Sequence, residues 1–145
     1  MKKISFFALT LLLICFIWHN SLVDAPHSTA VSRQVLAFLN RALAMLTISQ
    51  PLALTEHLVR KAAHFTEFYF LGSALFSTFY AFGKRRTAFF LTVIIGGFVA
   101  VIDEHLQLYS PGRSSQVSDV FLDSGAVLTA ATALQLFVYW LRKKK

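Results

Sequence analysis

Charge is scarce in this sequence: Asp, Glu, Lys and Arg make up 14% of its 145 residues, against roughly 25% in an ordinary soluble domain. A chain this short leaves about a third of its surface in water, so a larger core cannot absorb the shortfall. With 56% hydrophobic residues and a mean hydropathy of +0.59, the composition argues against a water-soluble globular protein. Glycine and proline are also few, six and three against fifteen phenylalanines, which excludes a disordered or low-complexity chain. The single cysteine, Cys15, lies inside an apolar run and has no partner for an intrachain disulfide. What remains is a small membrane protein of one domain, residues 1–145.

Four apolar stretches approach the ~20 residues needed to cross a ~30 Å hydrocarbon layer. They cover residues 4–18, 65–82, 87–106 and 120–141. Four strands are far too few for a barrel, and a spanning helix bonds its own backbone, so the sequence predicts an all-α, four-transmembrane-helix bundle. Between the first two spans, Val31, Val35, Phe38, Leu39, Ala42, Leu43 and Leu46 recur at helical spacing, with Arg33, Asn40 and Arg41 opposite. This pattern predicts an amphipathic interfacial helix over residues 31–46. Pro51 then breaks the chain, and Thr55 is placed to cap the helix that follows. The first segment admits a rival reading: Lys2-Lys3, an apolar run and Val23-Asp24-Ala25 resemble a secretory signal cut after Ala25. Trp18, an interfacial anchor at the end of the run, favours a retained helix.

A net charge of +7 in a soluble protein would raise the question of nucleic acid. Here nine of the fourteen basic residues sit in three short segments: Lys2-Lys3, Lys84 to Arg86, and Arg142 to Lys145. They bound apolar segments, so they read as anchors, no nucleic acid partner is expected, and the positive-inside rule makes their side cytoplasmic. The expected location is the cytoplasmic membrane of a bacterial cell, multi-pass, with both termini in the cytoplasm. All seven acids and all five histidines then fall on or near the outer side.

That segregation marks a candidate site. Arg60, His64 and Glu67, spaced i, i+4 and i+7, share one helix face and descend from the outer interface into the membrane. Asp103, Glu104 and Gln107 close the third span, and Pro111-Gly112 turns the chain so that Arg113 emerges at the mouth of the bundle. Asp119 and Asp123 occupy one face of the fourth span's opening turns, where Asp119 is also placed to act as a helix cap. With Lys61, the expected binding set is Arg60, Lys61, His64, Glu67, Asp103, Glu104, Gln107, Arg113, Asp119 and Asp123. Three chemistries fit it. His64, Glu67, Asp103 and Glu104 are candidates for acid/base catalysis. Glu67, Asp103, Glu104 and Asp123 offer oxygens to a divalent cation such as Mg²⁺. Arg113 and Arg60 suit a phosphate headgroup. A closed salt-bridge network is the structural alternative, and satisfaction of Glu67 by His64 is one form of it.

The motifs Arg60-Lys61-Ala62-Ala63-His64-Phe65-Thr66-Glu67-Phe68, Asp103-Glu104-His105-Leu106-Gln107, Pro111-Gly112-Arg113 and Asp119-x-x-x-Asp123-x-Gly125 resemble, in order and spacing, those of the VanZ-like family of small bacterial membrane proteins. Asn20-Ser21 with Ser28 and Ser32 is similar to the Ser-rich segment many members carry after their first helix. Phe68 stands where Tyr is usual, and Asp123 where Asn is frequent. The resemblance implies an envelope role and a link to tolerance of the lipid-tailed glycopeptide teicoplanin, without supplying a reaction. The expected function is an outward-facing pocket that binds an anionic lipid or lipid-linked wall precursor. The alternatives are a membrane-embedded acid/base or metal-assisted hydrolase or transferase, and an accessory subunit whose polar network steadies a membrane protein partner.

Overall fold

The computed structural model describes residues 2–45, 55–83 and 85–144, and every regular element among them is an α-helix. In chain order these are α1 (Lys2–Ser21), α2 (Ala25–Met45), α3 (Glu56–Phe82), α4 (Arg85–Gln107) and α5 (Val117–Lys143). α1, α4 and α5 are long and apolar enough to cross a membrane. α3, expected as the second span, does not meet that standard by composition, because Glu67, Ser73, Ser77 and Thr78 interrupt its apolar residues. Its position explains why these are tolerated. α3 packs against α1, α2, α4 and α5, and Phe68, Leu71, Ala74, Leu75 and Phe76 are buried along it. Ser73 and Ser77 donate to the carbonyls of Tyr69 and Ser73, 3.0 and 2.8 Å away, which keeps their hydroxyls satisfied within the helix.

The core runs the length of the bundle. Ile17 of α1, Phe68, Leu71 and Leu75 of α3, Val99 and Ala100 of α4, and Ala126 and Val127 of α5 form one cluster. Phe76, Ala88 and Ala131 form a second. Small residues set the helix separation: a Cβ on Gly72 would stand 2.9 Å from the Val127 Cα of α5, and one on Gly96 would stand 2.5 Å from a Val127 methyl. Close backbone approach through small residues is how helices associate where lipid supplies no hydrophobic drive between them.

The charge segregation is realised at the two ends of the bundle. At one end Lys3 lies over the Phe82 ring, 5.1 Å from its centroid, and Arg85 over Tyr139 at 5.2 Å. Arg142 donates to the Tyr80 hydroxyl at 2.9 Å. The start of α1, the start of α4 and the end of α5 therefore meet there, among aromatic rings suited to an interface. Lys84, Lys145 and the Lys2 side chain lie outside the described residues. The acids gather at the other end.

α2 begins earlier than the 31–46 expectation. Asp24 accepts the His27 backbone N–H at 3.0 Å and Pro26 occupies the first turn, a start signal the apolar periodicity passed over. The same Asp24 accepts from the His27 ring at 2.7 Å, and the two bonds, backbone first, hold its carboxyl below the usual range. On the expected apolar stripe Val31, Val35 and Phe38 are exposed, while Leu39, Ala42 and Leu43 are half-buried. Leu46 and Pro51 lie outside the described residues.

Thr55 caps α3 as its position predicts, with Oγ1 accepting the Leu58 N–H at 3.2 Å. Thr55→Ala is expected to destabilise this first turn by about 1 kcal/mol. Hydrogen exchange should then quicken at the amides of residues 57–59 while the buried middle of α3 keeps its protection. Equal protection in both proteins would show that the cap contributes nothing.

Candidate functional site

Four helix ends build the polar pole: the last turn of α1, the first half of α3, the last turn of α4 and the opening of α5. Pro111-Gly112 makes the turn between the last two, and Gly112 adopts φ +76°, a left-handed conformation that side chains disfavour. The turn is docked on the α1–α2 corner. The Ala25 N–H donates to the Pro111 carbonyl at 3.0 Å, the Ser110 hydroxyl to the Ser21 carbonyl at 2.7 Å, and the Arg113 guanidinium to the Asn20 carbonyl at 3.1 Å.

Behind this clamp Glu67, Asp103 and Glu104 each have a partner of their own. Asn20 donates to Glu67 at 3.0 Å, joining α1 to α3. Ser21 donates to Asp103 at 2.6 Å, joining α1 to α4, and Gln107 donates to the other oxygen of Asp103 at 3.3 Å, one turn along the same helix. Glu104 accepts the backbone N–H of Gln116, the residue before α5. Lys61 and Asp119 pair at 2.9 Å across α3 and α5. Glu67 is therefore held by Asn20 rather than by His64. Asp119 is one side of an ion pair rather than a cap, since the N-cap of α5 is Gln116, with no side-chain bond.

Several polar atoms remain without a partner although buried: His64 Nδ1, Glu67 Oε2, Glu104 Oε2, Arg113 Nε and Asp123 Oδ1. Such atoms cost free energy in an apolar interior, and five of them cluster at this pole. Burial, then the neighbouring charge of Arg60, holds the Arg113 guanidinium below its ordinary range, and Asp103, Glu104 and Glu67 oppose that shift. The two guanidiniums stand beside one opening.

The opening is a cavity of about 140 Å³. Of the ten expected residues, Arg60, Lys61, His64, Gln107, Arg113, Asp119 and Asp123 line it, whereas Glu67, Asp103 and Glu104 do not. His57, Ser114 and Gln116 also stand on the wall, outside the expected set. Asn20 and Ser21 were noted only for their likeness to a family segment, yet they bond two of the acids. His57 lies one helical turn before Lys61, a spacing that offered a signal. Asn20 and Ser21 offered none by local spacing, because their partners are 47 and 82 residues away. Of the four acids considered for a cation, Asp103 and Asp123 come together, joined by His64 instead of Glu67 and Glu104.

Comparison with known proteins gives one finding. The family described as VanZ/LLP1 matches residues 6–139 of the chain, which takes in α2, α3 and α4, all but the start of α1 and the end of α5, and the whole polar pole. No curated protein matches, and no solved structure does.

Proposed function

Since the chain belongs to the VanZ/LLP1 family, and its three apolar helices mark it as a membrane protein of that type, we propose that its polar cavity binds the phosphate of an anionic lipid or lipid-linked envelope precursor. The observation that supports this reading most is the pair Arg60 and Arg113 at one small cavity. Lys61 is matched by Asp119, but the two guanidiniums have no carboxylate within ion-pairing distance among the described residues. A phosphate would accept from both forks and reach the unpartnered Arg113 Nε.

In this reading α3 is the fourth span, sheltered from lipid by α1, α4 and α5, and α2 lies in the outer interface with Val31, Val35 and Phe38 against acyl chains. The Lys3–Arg85–Arg142 pole faces the cytoplasm of a bacterial cell, and the cavity faces outward at headgroup level. α1 is retained rather than cleaved. Its packing supports this: Ile17 is fully buried, Thr10 bonds Thr78 of α3 at 3.0 Å, and cutting after Ala25 would remove Asn20 and Ser21. Teicoplanin tolerance would follow from occupancy of the same outer surface by a wall precursor.

The test is lipid retention by the purified chain, read by native mass spectrometry after exchange into mixed phosphatidylglycerol and phosphatidylcholine. Wild-type protein is expected to retain phosphatidylglycerol selectively, and Arg60→Gln to lose that selectivity by about tenfold, the scale of one charge-assisted hydrogen bond. Equal retention of both lipids by wild-type and variant would reject the reading.

A further inference from the structure

Deep in the polar pole, one helix each contributes His64, Asp103 and Asp123. One potential ligand atom from each lies within 4.8 Å of the other two. Three points no farther apart than that share a centre within about 2.8 Å of each, so side-chain shifts of under an ångström reach the ~2.0–2.2 Å bonds of a transition-metal ion. The grouping is not a surface accident. Asp103 is 0% exposed and Asp123 1%, and both Asp123 Oδ1 and His64 Nδ1 are buried without a hydrogen-bond partner. His64 Nδ1 approaches Asp103 Oδ2 only to 3.9 Å, too long for a hydrogen bond between them.

The electrostatic surroundings point the same way. The strongest charged influences on Asp123 come from Asp103, Asp119, Glu104 and Glu67, all acids, while Arg113 acts on Asp103 and His64. A buried carboxylate whose strongest charged influences are acids, and which keeps an oxygen without a hydrogen-bond partner, is suited to receive positive charge. Asp103 is already oriented: Ser21 and Gln107 hold its two oxygens, as outer-shell donors hold a metal-binding carboxylate. His64 and Asp123 also line the cavity, so an ion bound here would keep its remaining positions open toward it.

We propose that His64, Asp103 and Asp123 form a divalent metal site at the floor of the cavity. One imidazole and two carboxylates suit borderline Zn²⁺, or Mn²⁺ as a harder ion that still takes a nitrogen ligand, better than Mg²⁺ or Ca²⁺, which favour all-oxygen sets. The site stands whether or not a lipid phosphate occupies the cavity above it.

The experiment uses the full chain in detergent, stripped with a chelator and titrated with Zn²⁺ or Mn²⁺ alone, in lipid-free and phosphate-free buffer. One ion per chain is expected by calorimetry and by elemental analysis after gel filtration, with Mg²⁺ at least tenfold weaker. Asp123→Asn and His64→Gln should each weaken binding tenfold or more. Glu56→Gln, which removes only the partner of Arg33 away from the cavity, should not. His64→Cys keeps a ligand at the same place and should retain Zn²⁺ while losing Mn²⁺, which guards against variants that merely misfold. A stoichiometry near zero in wild-type protein, or equal affinity in wild-type, Asp123→Asn and His64→Gln, overturns the assignment. Because no lipid is present, either result leaves the phosphate reading to its own test.

Discussion

Replacing Gly72 with valine is expected to cost about 3 kcal/mol of stability, the upper part of the usual range for overpacking. A Cβ at position 72 would meet Val127 Cα at 2.9 Å, Val127 O at 3.0 Å and Ala130 Cβ at 3.1 Å. Two of these three atoms are backbone, so no rotamer change relieves the contact and α3 must move away from α5. The change also reaches the site, since Lys61 and Asp119 pair across those two helices. Gly125→Ala is the matched control. That glycine belongs to the Asp119-x-x-x-Asp123-x-Gly125 motif, yet nothing lies within 4 Å of a Cβ placed on it, and alanine there adds helix propensity worth up to about 1 kcal/mol. Thermal unfolding in detergent should show a lower midpoint for Gly72→Val and an equal or higher one for Gly125→Ala. The same midpoint for Gly72→Val and wild type would mean that α3 and α5 are not held in contact here.

Arg113→Ala is expected to produce the largest loss of phosphate-lipid binding, roughly 10- to 100-fold, corresponding to one or two charge-assisted hydrogen bonds. Its influence is broader than that of Arg60. The guanidinium holds the Asn20 carbonyl at 3.1 Å and acts electrostatically on Asp103, Glu104 and Glu67. Removing it exposes those acids to one another without compensation. Arg113→Lys separates the roles: it restores a positive charge but not a fork able to bond both Asn20 and a phosphate. Retention measured by native mass spectrometry should therefore rank wild type, Arg113→Lys and Arg113→Ala in falling order. If Arg113→Lys binds as well as wild type, only net charge matters and the planar geometry has no part.

The helices and their order were legible because apolar runs and basic ends are local signals. Thr55 was readable as a cap from its position alone. The start of α2 was not, because Asp24 and Pro26 belong to capping chemistry and lie outside the apolar repeat that defined residues 31–46. Arg60, Lys61 and His64 were legible as one face of a helix, and Arg113 followed from the Pro-Gly turn. The division of labour among the acids was hidden, since periodicity places a residue on a face without naming what stands opposite. Glu67 and Asp103 look equivalent in sequence, but Asn20 engages the first and Ser21 the second. Glu104, next to Asp103, turns to the Gln116 backbone instead, because adjacent helical residues point in different directions. That geometry is why His64 joins Asp103 and Asp123, a grouping across three helices with no trace in local spacing.

The docking of the Pro111 turn on the α1–α2 corner also has a temporal meaning. Ser21 meets Asp103 across 82 residues of chain, and Asn20 meets Arg113 across 93. At translation rates of about 5–20 residues per second, α1 is complete roughly 4–20 s before the partners of its last turn exist. During that interval the Ser21 hydroxyl and the Asn20 carbonyl must find water or headgroups, whereas the Asn20 amide meets Glu67 after only 47 residues. Completion of the pole therefore waits on synthesis of the α4–α5 turn, and a chain arrested before Ser110 would hold α1 with the Asn20 and Ser21 carbonyls still unclaimed.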